Sequence, residues 1–344
     1  MFYEQDIESA ISAGVLTPDA AAAFRAHLAG ERASPMVDEE NFKLLTGFND
    51  IFVAIAGTLL LVAVAWIGGA ITPALGGVAV AATAWGLAEY FTRVRRMALP
   101  SILFLLSFVG SVFGSQAALL FGFDGMRGGD QTESLMIALA AAGAAGAALL
   151  HWRRFRVPIT VAAGAAALAA LVGALVMAVV PGIETVNLAV VLTLGIAVFA
   201  FAMWWDMSDR LRKSGRSDVA FWLHLLAAPM IAHPVFAMLG LLEGGSNVGE
   251  ALIVLALYVA MGVVALAIDR RALLVSALAY VLYAMGVLFK EFGAVSLNIA
   301  LTGLVIGSAL LLLSAGWQSI RAFVVGRLPL KWAEYLPPVY ATPS

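Results

Sequence analysis

Ten long apolar stretches run through this chain of 344 residues, near 51–70, 74–92, 99–122, 134–151, 157–180, 186–205, 219–241, 250–268, 272–290 and 294–316. Each approaches the roughly 20 residues that a helix needs to cross the hydrocarbon core of a bilayer. In that core every backbone N–H and C=O must be satisfied within the spanning structure, so only helices and closed barrels are admissible. A barrel shows short segments of alternating polarity, whereas these runs are continuous and rich in Ala, Leu, Val and Gly. Composition agrees: 12% of residues are charged and 62% hydrophobic, against about 25% charged in a soluble domain. The expected fold class is all-α, a polytopic helical membrane protein with about ten transmembrane helices.

The distribution of positive charge gives these spans a direction. Of 20 Lys and Arg residues, all but Arg127 and Lys290 fall before the first span or after an even-numbered one. The groups are Arg25, Arg32 and Lys43; Arg93, Arg95 and Arg96; Arg153, Arg154 and Arg156; Arg210, Arg212, Lys213 and Arg216; Arg270 and Arg271; and Arg321, Arg327 and Lys331. Short loops rich in Lys and Arg stay in the cytoplasm. The expected topology therefore has both termini cytoplasmic, in an inner (plasma) membrane. A net charge of −2 and the lack of a basic stripe outside these loops point away from a nucleic-acid partner. With no cysteine, disulfides, thiolate metal sites and Cys nucleophiles are excluded together.

The basic loops recur at similar intervals. Arg95, Arg153, Arg212 and Arg270 are separated by 58, 59 and 58 positions. Arg95-Arg96-Met97-Ala98-Leu99-Pro100 resembles Arg153-Arg154-Phe155-Arg156-Val157-Pro158, and Arg270-Arg271 begins a weaker copy. Tandem two-helix repeats would give this spacing. So would any two spans with short loops, because span length is fixed by the bilayer.

Three domains are expected: residues 1–48, a cytosolic helical hairpin and linker; 49–316, the transmembrane domain; and 317–344, a cytoplasmic interfacial tail. In the first, Ile7 and Ile11 mark one helix ending at Gly14, and Thr17-Pro18 reads as N-cap and first-turn proline of a second carrying Ala21, Phe24 and Leu28. About 30 residues cannot build their own core, so this segment is expected to lean on the membrane or on a protein partner bound through residues 1–40. No basic-then-apolar signal-peptide pattern occurs in it. In the tail, basic residues alternate with Phe323, Val324, Leu328, Leu330 and Trp332, which fits an interfacial segment. The Gly14-Val15-Leu16-Thr17-Pro18 hairpin, the many apolar spans and the Trp317, Arg321, Leu328-Pro329 tail together resemble uncharacterised bacterial multi-pass inner-membrane protein families. That resemblance implies the layout and supplies no catalytic residues.

Ionisable groups deep in a bilayer are costly and usually functional, and here they are few. Glu89 with Arg93 four residues on reads as an interfacial helix pair. Asp50 and Glu250 open spans and fit as N-caps. The seventh span is the exception. His233 lies about 21 Å along it by the helical rise of roughly 1.5 Å per residue, and Pro229 and Pro234 each free a carbonyl one turn back. A helix broken there could line a cavity, and His233, Pro234, Pro229 and Gln116 are the candidate substrate-binding residues. The plainer reading is a proline-bearing span whose His bonds a neighbouring helix. His224 and His233, nine apart, fall on opposite faces of an ideal helix. Gly110 and Gly114, in a stripe with Ser107, Ser111 and Ser115, suggest close helix packing.

No metal, cofactor or enzyme signature is expected: the chain has no His-Glu-x-x-His, Gly-x-Ser-x-Gly or P-loop motif. Three functional classes remain, of which an intramembrane enzyme has the least in its favour, and two are developed as readings. The first is a permease-like protein for a small molecule with its site near the seventh span. The second is a non-transporting scaffold, assembly factor or sensor acting through the cytosolic hairpin. A polar cavity at His233 and Pro234 would favour the first.

Overall fold

A computed structural model describes residues 10–24, 48–121, 131–180, 184–212, 214–240, 248–291 and 298–339. The chain divides into two compact units, Met1–Asn41 with Tyr340–Ser344, and Phe42–Val339.

In the first unit, residues 10–12 and 18–24 are helical. Gly14 has φ +69°, a left-handed conformation that costs glycine nothing. It ends the first helix, with Val15 N–H returning to Ala10 O at 2.9 Å. Thr17 Oγ1 accepts from Ala20 N–H at 3.2 Å, which makes it the N-cap of the second helix, as its sequence suggested. Ile7 and Leu28 lie outside the described residues.

The second unit is built of helices: α1 (Phe48–Gly69), α2 (Pro73–Val94), α3 (Ala98–Phe121), α4 (Gln131–Phe155), α5 (Ile159–Val179), α6 (Glu184–Ser208), α7 (Arg216–Met238), α8 (Val248–Ile268), α9 (Ala272–Glu291), α10 (Asn298–Ala315), α11 (Trp317–Val325) and α12 (Leu330–Ala333). Among the described residues, α1 to α8 are each long and apolar enough to cross a membrane. A further pair, Ala300–Ala315 with Trp317–Val325, passes the same test together but bends by 72° at its break. Trp66, Leu59 and Leu311 are among many large apolar side chains left exposed, the surface of a protein solvated by lipid. This is a polytopic helical membrane protein.

Local sequence sets the ends. Thr72 Oγ1 accepts from Leu75 N–H at 3.1 Å and Pro73 follows it, so α2 starts there. Its last six residues, Glu89–Val94, widen into a π-helix. Asp50 and Glu250 lie in the first turns of α1 and α8 and not at the N-cap positions expected for them.

Packing follows the basic loops. The three most extensive helix contacts are α4 with α5, α6 with α7, and α2 with α3, each joined by such a loop. The consecutive helices α5 and α6 touch only lightly. All four tips contain a residue in the left-handed region that is not glycine: Arg96 (φ 53°), Arg156 (57°), Arg212 (52°) and Asp269 (59°). Non-glycine residues rarely adopt that conformation, and here it ends one helix and turns the chain into the next.

Close approach of helices uses glycines other than those expected. A Cβ at Gly77 would lie 2.7 Å from Ser115 Cβ, and one at Gly195 would lie 2.9 Å from the Met230 backbone. At Gly110 and Gly114 a Cβ would meet nothing within 4 Å. The Ser and Gly stripe of α3 does pack on α2, but through Ser111 and Ser115. Its two glycines sit on an open face, because the stripe is wider than the contact.

Candidate functional site

A buried polar cluster joins the ends of α6, α7 and α8 to α11. Asp206, in the last turn of α6, is 3% exposed. Its Oδ2 accepts from His224 Nε2 of α7 at 2.9 Å and from Arg270 Nε at 3.2 Å, and its Oδ1 accepts from Arg270 Nη2. Arg270, also buried, donates to Ser217 O at 3.1 Å. His224 packs against the Phe199 ring at 5.2 Å, and its Nδ1, buried, has no partner among the described residues.

One residue back in the chain, Asp269 anchors a second set. Arg212 Nη1 lies 3.0 Å from its Oδ2, Trp317 Nε1 donates to Oδ1 at 2.7 Å, and Arg321 Nε is 3.6 Å from Oδ1. Arg321 is fully buried and donates to Pro337 O at 2.6 Å and Pro338 O at 3.1 Å. Arg210 closes the tail with two bonds to Leu336 O, at 3.1 and 2.8 Å. Trp317, Arg321 and Val325 therefore form the buried stripe of α11, while Phe323 is exposed. The tail has the amphipathic character expected of it, but the charge of Arg321 points inward, where Asp269 and two free carbonyls receive it.

Buried charges persist only when paired and hydrogen-bonded. Here each carboxylate meets at least two donors, and the two arginines reach a carboxylate plus carbonyl oxygens. The cluster cross-links the ends of α6, α7 and α8 to the tail. Arg270 and Arg321 thus have a role beyond orienting the chain, contrary to the reading of basic residues as topology markers alone. Sequence reasoning gave neither Asp206 nor His224 a role. A usable signal was present in the spacing: the acid–arginine pair Glu89 and Arg154 is 65 positions apart, and Asp206 and Arg270 are 64 apart.

The first half holds the counterpart of that pair. Glu89 takes Arg154 in a bidentate bond, 2.7 and 2.9 Å, and Arg93 at 3.4 Å. The expected i,i+4 contact is present, and the interhelical one is shorter. His151 of α4 is fully buried among Trp85, Phe108 and Phe155, with Thr160 Oγ1 3.3 Å from its Nδ1.

The residues expected to bind substrate do not converge. Helix α7 continues from Arg216 to Met238 with both prolines inside it, so it is not the broken helix expected. His233 is exposed on the outer face of α7, its Nδ1 bonded to the Tyr280 hydroxyl of α9 at 2.8 Å. Pro229 is exposed and Pro234 buried. Gln116 belongs to α3, where it donates to Val112 O at 3.0 Å and covers Gly143 of α4. A cavity of about 340 Å³ does lie along α7, between Phe199, Ile231, Phe236, Leu257 and Met261. Its lining side chains are all apolar, and His233 is not among them. Among the described residues no group of three or more His, Cys, Asp or Glu could hold a metal.

These features define the class, an all-helical integral membrane protein with a buried ionic cluster at one end of its second half. None of three comparisons, with family models, with curated proteins and with solved structures, finds a match to this chain.

Proposed function

We propose that this chain is a ten-span protein of a bacterial inner membrane, with both termini cytoplasmic, that serves as a scaffold and does not carry polar solutes. The observation that carries this reading is the buried cluster around Asp206 and Asp269. Removing one partner of a buried ion pair costs about 3–5 kcal/mol. A carrier that rocks one helix bundle against another would have to break such pairs if its hinge passed between α6 and α8. The cluster instead makes those ends and the tail one rigid body. The apolar lining of the cavity beside Pro234 points the same way, since polar solutes need convergent polar groups.

The topology rests on the basic loops and on the four tips with left-handed residues, which lie two helices apart and so share a side of the membrane. The recurring tips and the 65- and 64-residue acid–arginine spacings support tandem helical hairpins as the repeating unit. Partner binding is assigned to residues 1–40. Deleting them and cross-linking in cells tests this: loss of specific adducts with unchanged membrane insertion is expected, and an unchanged adduct pattern contradicts it.

The cavity along α7 favours a second reading, a permease-like protein for a small apolar molecule. Narrowing it with Ala232→Leu would then abolish uptake of that molecule. On the scaffold reading, Ala232→Leu and His233→Ala leave solute uptake unchanged.

A further inference from the structure

A cavity of about 640 Å³ runs between α4, α5 and α6. Ligand sites commonly measure about 300–1,000 Å³. The cavity exists because α5 and α6 pack only lightly and because small residues line it, including Gly146, Gly164, Ala165 and Ala169. Along α5 it extends from Thr160 to Val172, about 18 Å at roughly 1.5 Å per residue. That is slightly more than half of a hydrocarbon core of about 30 Å, the depth of a single leaflet.

The two ends of this groove differ. Its inner length is aliphatic. At the loop end stand Trp152 and Trp205. Above the Trp152 ring lies the Arg156 guanidinium, 5.9 Å from the centroid, on an exposed side chain.

We propose that this groove binds one anionic phospholipid of the leaflet facing the basic loops. An acyl chain lies along α5, the Trp152 and Trp205 rings flank the glycerol region, and the headgroup charge is met by Arg156. Tryptophan and arginine at headgroup depth suit this chemistry. A transmembrane helix fits less well, because it crosses the whole core of about 30 Å and the groove runs only about 18 Å along α5. Naming the leaflet as cytoplasmic rests on the proposed topology; the site itself does not depend on the scaffold reading.

The test is electron paramagnetic resonance on the full chain reconstituted in phosphatidylcholine vesicles with a trace of spin-labelled phosphatidylglycerol or spin-labelled phosphatidylcholine. The immobilised component is expected to be several-fold larger for the phosphatidylglycerol label. Arg156→Gln brings the two labels level, and Ala165→Leu with Ala169→Leu removes the immobilised component. Equal retention of both labels by the native chain overturns the proposal, as does retention unchanged by the two leucines. If the leucine pair does not fold, Arg156→Gln decides the matter alone. Because the chain has no cysteine, Leu168→Cys gives a single thiol on the groove. A rapid disulfide dimer through it would identify a second copy as the occupant and also overturn the proposal.

Discussion

Both halves of the membrane unit join a carboxylate at the end of one helix to an arginine about 64 positions later, yet they do so in opposite surroundings. Glu89 and Arg154 are 31% and 41% exposed, whereas Asp206 and Arg270 are 3% and 2% exposed. An exposed pair is screened by water and contributes little. A buried pair gains modestly when intact and costs heavily when half of it is removed. The same connection is therefore a loose latch in the first half and a lock in the second. The difference comes from what covers it: α11 and the tail lie over the second pair's neighbourhood through Trp317 and Arg321, while the first has no such cover among the described residues.

The largest expected effect is at the centre of the lock. Asp206→Asn leaves Arg270 without its counter-charge and should lower stability by about 3–5 kcal/mol, read from unfolding in mixed micelles. Replacing the pair together, Asp206→Leu with Arg270→Met, should recover much of that loss, since an apolar pair of similar volume is often tolerated. A smaller effect is expected one layer out. Trp317→Phe removes a donor from Asp269, costs about 1–3 kcal/mol, and should speed proteolysis of the tail at 326–339 while the helices stay protected. Uniform protection of that tail in the variant would show that Trp317 does not hold it.

Glycine packing sharpens the contrast between expected and observed contacts. Gly77→Ala should destabilise, because its Cβ would collide with α3. Gly110→Ala, on an open face, should be neutral or stabilising by up to about 1 kcal/mol from helix propensity. The ranking is checked by thermal unfolding of the two variants side by side. Smallest of all, Glu89→Gln should leave the unfolding midpoint within measurement error.

Much of the architecture was legible because bilayer physics writes it plainly. Span length, apolar run and loop charge marked helices whose observed ends lie near the expected ones, and Thr17 marked a start by its capping chemistry. The candidate site was less legible. Local rules picked out His233 and the prolines of α7, but whether a helix face meets protein or lipid is decided by neighbours far away in sequence. The same holds for Asp206, His224 and Arg270, which come from three separate elements. A loop arginine reads as solvated until its partners fold over it.

The most direct test compares two double-mutant cycles, Asp206 with Arg270 and Glu89 with Arg154, each by equilibrium unfolding of the full chain in mixed micelles. The account predicts a strong coupling energy for the first pair and a negligible one for the second. Equal couplings, or a negligible one between Asp206 and Arg270, would contradict the claim that the second half is locked by buried charge.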